Sequence, residues 1–107
     1  MLSKRERDLV IYDRSLWQDN LWIGKRGEAV KALQKLLINE NLWNSDVEAT
    51  GYFGPITKAA VIKFQEKFAS EILKPLELTK GTGFVGVYTR KFLNAYASGI
   101  SPRPDVK

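Results

Sequence analysis

Cysteine and histidine are both absent from the 107 residues. Their absence removes the thiol nucleophile, the Ser-His-Asp triad, a disulfide framework and almost every zinc site. Any hydrolytic chemistry would rest on carboxylates, lysine, tyrosine or hydroxyls alone. Long apolar runs are also missing. The longest, Leu9–Tyr12 and Ala59–Ile62, have four residues each, far below a transmembrane span or a signal-peptide core. The expectation is a protein that stays where it is made, or one piece of a longer exported chain, with no membrane partner. Blocks of like charge are absent too. The excess of 17 Lys and Arg over 12 Asp and Glu is spread along the chain. A basic face for nucleic acid is therefore not indicated.

What is present suits one globular domain. Apolar residues make up 44% and aromatics 11% of the chain, and a chain of this length buries roughly 65% of its unfolded surface. It is too short for a barrel enzyme or a full dinucleotide-binding fold. Leu16, Trp17, Leu21, Trp22 and Ile23 form a dense cluster before Gly24. The two tryptophans read either as caps on the core or as an exposed stacking surface for a sugar ring.

The periodicity predicts an all-α fold, a compact three-helix bundle with short extra turns and an irregular N-terminal arm. Val30, Leu33 and Leu37 share one face of a helix over Glu28–Asn41. Pro55 suits the first position of a helix over Pro55–Phe68, with an extension to Leu73 left open before Lys74-Pro75 ends it, and an apolar stripe of Ile56, Ala60, Val61, Phe64 and Phe68. A third helix is expected over Val87–Tyr96, with Phe92, Leu93 and Tyr96 inward. Leu9–Tyr12 reads as a short strand or packing arm, Asn44-Ser45-Asp46 as a turn, Leu76–Gly86 as loop, and the Pro- and Gly-containing Ser98–Lys107 as a tail. The corresponding division is an arm or linker over 1–20, a domain over 21–97 and a tail over 98–107.

Two segments echo each other thirty-two positions apart. Thr50-Gly51-Tyr52-Phe53-Gly54-Pro55-Ile56-Thr57-Lys58 aligns with Thr82-Gly83-Phe84-Val85-Gly86-Val87-Tyr88-Thr89-Arg90. In each, the first glycine permits a conformation or close approach that a side chain would block, and the aromatic after it, Tyr52 or Phe84, is placed to pack inward, with structural roles for Phe53 and Val85. The second glycine turns the chain into a helix. The Thr three residues later lies in the first helical turn, where its hydroxyl can reach back to the loop. Strain at Gly54 and Gly86 is expected to penalise any larger residue. Gln34 and Gln65 each follow an apolar helix position, and their simplest role is to hydrogen-bond loop backbone and brace the bundle.

These motifs, together with Gly24-Lys25-Arg26-Gly27-Glu28-Ala29-Val30-Lys31-Ala32-Leu33-Gln34 and the Ala59–Gln65 continuation of the first echo, resemble the peptidoglycan-binding-like domain family, small three-helix modules appended to bacterial wall enzymes. The resemblance covers about residues 21–95. It departs from the family at Val87, where proline is usual, and in the longer Ser70–Gly81 loop, which could reshape a groove beside the third helix. It implies a non-catalytic module that anchors a host protein to murein in the cell envelope, whether periplasm or cell wall. No cofactor, metal or catalytic residue is implied. Its partner would be peptidoglycan, through glycan strands or stem peptides, and the chain a monomer or part of a larger protein. Aromatic faces suit sugars, and cations suit stem carboxylates. The candidate contacts are Trp43, Tyr52, Thr57, Lys58, Tyr88, Thr89 and Arg90. Packing remains an equal alternative for Trp43, Tyr52 and Tyr88, and a structural role for the two threonines. A protein–protein docking module on the same fold is the alternative function. A helix-turn-helix binder lacks a basic face. A glycosidase using Glu40, Asp46, Glu48, Glu66 or Glu71 lacks any two placed across a cleft.

Overall fold

The computed structural model describes residues 17–43 and 46–97. Leu9–Tyr12, Leu16, Asn44-Ser45 and the tail from 98 onward lie outside the described residues. The helices are α1 (Glu28–Asn39), α2 (Pro55–Lys67), the one-turn α3 (Ala69–Ile72) with a 3₁₀ turn at Lys74–Leu76, and α4 (Val87–Ala97). No strand forms among the described residues, where the extended pairing is limited to two isolated antiparallel bridges, Leu21 with Val85 and Arg26 with Tyr52. The all-α expectation and its three main helices hold.

α1 stops two residues before the expected Asn41, for an identifiable reason. Asn41 takes a left-handed φ of 62°. The Leu42 amide then donates to the Leu37 carbonyl and the Asn41 amide to that of Ile38, both at 3.0 Å. This is a Schellman closure, which satisfies the last carbonyls and which Asn tolerates better than most residues. The same pattern closes the turn after α3. Glu77 has φ 59°, and the Leu78 amide donates to the Leu73 carbonyl at 3.0 Å. Residues 69–72 and 74–76, partly expected as loop, thus form helical turns on either side of Leu73.

The core lies between α1, α2 and α4. Val30, Leu33, Leu37, Phe53, Ala60, Val61, Phe64 and Leu93 are all buried, as the periodicity requires. Phe64, Phe68, Phe92 and Tyr96 pack as an aromatic cluster with ring centroids 4.5–6.3 Å apart. Full burial of each large apolar side chain contributes about 1.5–3 kcal/mol. Ile56 departs from its expected place in the stripe and is exposed. The buried arc of α2 centres on Thr57, Val61 and Phe64. Ile56 falls beyond its edge in the first turn, lining a shallow hollow with Leu42 and Ala59.

The two tryptophans divide between their alternatives. Trp17 is buried, and its indole N–H donates to the Ala29 carbonyl at 3.1 Å. Trp22 is 43% exposed. Residues 17–20, placed by the sequence in an arm, are tied to α4. Asn94 donates to the Trp17 carbonyl, and Arg90 donates to the Gln18 carbonyl and to Asn20 Oδ1 at 2.7 and 2.9 Å.

Candidate functional site

The sequence echo folds as two matching clasps. In the first, Gln34 of α1 grips the loop that leads into α2. Its Nε2 donates to the Tyr52 carbonyl at 2.8 Å and to Thr57 Oγ1 at 2.9 Å, and its Oε1 accepts from the Gly51 amide at 2.8 Å. In the second, Gln65 of α2 grips the loop that leads into α4. Its Nε2 donates to the Phe84 carbonyl at 2.8 Å and to Thr89 Oγ1 at 3.2 Å, and its Oε1 accepts from the Thr82 and Gly83 amides. Both glutamines are buried. Each satisfies loop groups that would otherwise be costly inside the protein.

Each clasp directs one side chain inward and its neighbour outward. Phe53 and Val85 are fully buried, whereas Tyr52 and Phe84, expected from the sequence to pack inward, are exposed, because the core-facing position of each extended loop is taken by the next residue. Gly51 and Gly83, the first glycines, have φ of 87° and 79°, as a tight turn of this kind requires. The second glycines do not bear the expected strain. Gly54 is extended with φ −106°, and Gly86 also avoids positive φ. Their constraint is spatial. A Cβ on Gly54 would meet Tyr52 Cε2 at 3.2 Å, and one on Gly86 would meet Phe84 Cε2 at 3.2 Å. Each second glycine is the seat of the exposed ring two residues before it.

Residues 21–26 run between the two clasps. Leu21 and Val85 exchange both backbone hydrogen bonds, at 3.1 and 2.8 Å. At the other end the Gly24 amide donates to the Phe53 carbonyl, and the Phe53 amide to that of Lys25, both at 2.8 Å. This strap leaves two aromatic–cation sets on the surface. Trp22 stacks on Phe84 with centroids 5.8 Å apart, and Lys25 Nζ lies 4.4 Å from the Trp22 ring. The Arg26 guanidinium lies 4.4 Å from the Tyr52 ring. Aromatic faces flanked by cations present apolar area and positive charge together.

The residues singled out in the sequence fall into three settings. Tyr52, Lys58 and Tyr88 are exposed. The Lys58 stem crosses from the first clasp to the second, its Cγ lying where a Gly83 Cβ would come within 2.6 Å. Thr57 and Thr89 are buried inside the clasps, and Arg90 braces residues 18–20. Trp43 packs partly buried against the core, its indole N–H donating to the Val47 carbonyl at 2.7 Å. The sequence reading did not select Lys25, Arg26 or Phe84. The usable signal was the inward–outward alternation about Phe53 and Val85, which exposes Tyr52 and Phe84 alike. Among the described residues no cluster of three or more potential metal-ligating Asp or Glu side chains forms, and no helix is long and apolar enough to cross a membrane.

Comparison with known proteins bears on the family and the fold. No curated protein matches the chain. The chain is similar to a solved structure described as the SleB N-terminal domain, with 28% identity and a TM-score of 0.58, covering 74% of this chain and 93% of that one. Residues 26–70, from the strap through the first clasp and α2, match the family described as "putative peptidoglycan binding domain". The family resemblance carried by the motifs is thereby shown: residues 26–70 match the peptidoglycan-binding family, within a helical fold similar to that of the SleB N-terminal domain.

Proposed function

We propose that residues 21–97 act as a non-catalytic peptidoglycan-binding module that holds a host protein against murein in the cell envelope. The observation that carries this reading is the pair of exposed aromatic–cation sets, Trp22–Phe84 with Lys25 and Tyr52 with Arg26, displayed beside the segment that matches the family. Sugar faces of the glycan meet the rings, and stem carboxylates meet Lys25, Arg26 and Lys58. Tyr52, Lys58 and Tyr88 touch the polymer directly. Thr57, Thr89 and Arg90 act by holding the clasps and strap in place, and Trp43 extends the contact beyond α1. A shallow surface on a hydrated polymer gives a single-site dissociation constant on the order of micromolar to millimolar. Many equivalent sites on one sacculus then retain the protein through effective concentration.

Co-sedimentation with purified sacculi tests the reading. Wild type should pellet with sacculi at low salt, and Trp22→Ala/Tyr52→Ala should remain in the supernatant with unchanged melting. Sedimentation of wild type no greater than a neutral control protein would refute wall binding and favour the protein-docking alternative. Release of soluble muropeptides would overturn the non-catalytic assignment.

A further inference from the structure

The longer segment between the clasps builds a site of its own. α3 and the 3₁₀ turn place Ile72, Leu73 and Leu76 along one wall of a cavity of about 400 Å³. Phe84, Val87 and Tyr88 line it from the second clasp and the start of α4. Its volume falls within the ~300–1,000 Å³ of small-molecule sites. No lining residue carries a carboxylate, ammonium or guanidinium, although the chain as a whole has a net charge of +5. A charged stem-peptide terminus would lose its hydration there without a counter-charge. A neutral group with an apolar end loses little.

The polar groups of the lining are few and differently engaged. Gln65 is committed to the second clasp through both ends of its carboxamide. Asn20 is half committed. Arg90 Nε donates to its Oδ1 at 2.9 Å, which fixes the carboxamide and leaves Nδ2 as a donor. Among the described residues no hydrogen bond engages Asn20 Nδ2 or the Tyr88 hydroxyl.

We propose that this cavity binds the acetamido group of an N-acetylated hexosamine in a glycan strand. The acetyl methyl packs against Leu76 and Val87, exposed apolar residues of the lining whose floor is closed by the buried Ile72 and Leu73. The acetamido carbonyl accepts from Asn20 Nδ2, and the sugar ring lies against Tyr88 at the mouth. Arg90 is a positioning residue, since it sets the Asn20 amide rather than meeting the ligand. The inference rests on the wall-binding reading and narrows it from wall polymer to N-acetylated sugar.

The test is an NMR titration of the ¹⁵N-labelled chain with tri-N-acetylchitotriose. Cellotriose, which has the same linkage but a hydroxyl in place of each acetamido group, and a sugar-free stem peptide serve as comparisons. Sacculus co-sedimentation runs in parallel. The acetylated trimer should shift the amides of residues 82–89, and cellotriose and the stem peptide should not. Asn20→Asp keeps a partner for Arg90 but removes the donor, so it should weaken trimer binding about tenfold. Leu76→Asp, at a half-exposed wall position, should abolish it. Both variants should melt as wild type. An equal response to cellotriose, shifts confined to Arg26 and Tyr52, stem-peptide shifts at residues 82–89, or no trimer binding would overturn the inference. If sacculi retain wild type while the trimer ignores the cavity, the cavity assignment falls and wall binding stands. If the trimer fills the cavity but sacculi retain nothing, the sugar site stands and the wall-binding reading falls.

Discussion

Gln34 and Gln65 stand thirty-one positions apart on successive helices, and each donates through Nε2 to the carbonyl of an exposed aromatic, Tyr52 or Phe84, at 2.8 Å. The correspondence continues along the helices. Val30, Leu33 and Leu37 are matched by Val61, Phe64 and Phe68, all buried. The internal repeat is therefore a helix followed by a clasped loop, larger than the nine-residue echo visible in the sequence.

Gln34→Ala should destabilise the fold by about 3 kcal/mol. It would strand the buried Gly51 amide, with each unsatisfied buried group costing about 1–3 kcal/mol, and would open a cavity as well. Gln34→Glu should recover little, because a carboxylate cannot donate to the Tyr52 carbonyl. Chemical denaturation of the three proteins measures both differences, and a loss under about 1 kcal/mol for the alanine variant would remove the clasp from the account.

The two glycines of a clasp should respond differently. Gly51→Ala forces a side chain to φ 87° and should cost about 1–2 kcal/mol. Gly54→Ala keeps ordinary dihedrals and should cost less than about 1 kcal/mol. It should instead displace the Tyr52 ring, seen as altered tyrosine ring shifts in NMR, and weaken sacculus binding. Equal melting losses with an unmoved ring would contradict this division.

Phe64→Ala should cost about 3–5 kcal/mol, the range for emptying a buried aromatic site. Phe64 is 1% exposed and meets the rings of Phe68, Phe92 and Tyr96. Thermal and urea unfolding measure the loss. A cost below about 1 kcal/mol would show that the aromatic cluster tolerates the vacancy.

Sacculus binding should weaken as salt rises, because exposed charge pairs are screened over about 10 Å at 0.1 M. Lys58→Ala should reduce both the binding and its salt dependence with little change in melting. Arg90→Ala should lower the melting temperature as well, since it releases Gln18 and Asn20. Salt-independent binding of wild type would discard the cationic contacts and leave the aromatic ones.

Apolar period and backbone chemistry were enough to read the three main helices, eight of the core residues and the bracing glutamines from the sequence. Those properties act within a few residues, and burying an apolar stripe admits few alternatives. The same rules misplaced Ile56, because periodicity marks a face but not where the opposing core ends.

The candidate surface was less legible. Thr57 and Thr89 carry hydroxyls at the right spacing for a ligand, yet Gln34 and Gln65, more than twenty positions earlier, draw them inside. Arg90 is engaged by residues about seventy positions away. Trp17 and Trp22 sit five positions apart in one cluster, yet Trp17 is buried with its indole on the Ala29 carbonyl while Trp22 stays exposed on the strap against Phe84. The sequence by itself determined the three main helices and the residues able to fill a core, since these follow from local geometry and water's rejection of apolar surface. Which aromatics and cations remain on the surface, and the neutral cavity beside α3, were decided only by the tertiary structure, because each depends on side chains and backbone groups brought together from distant parts of the chain.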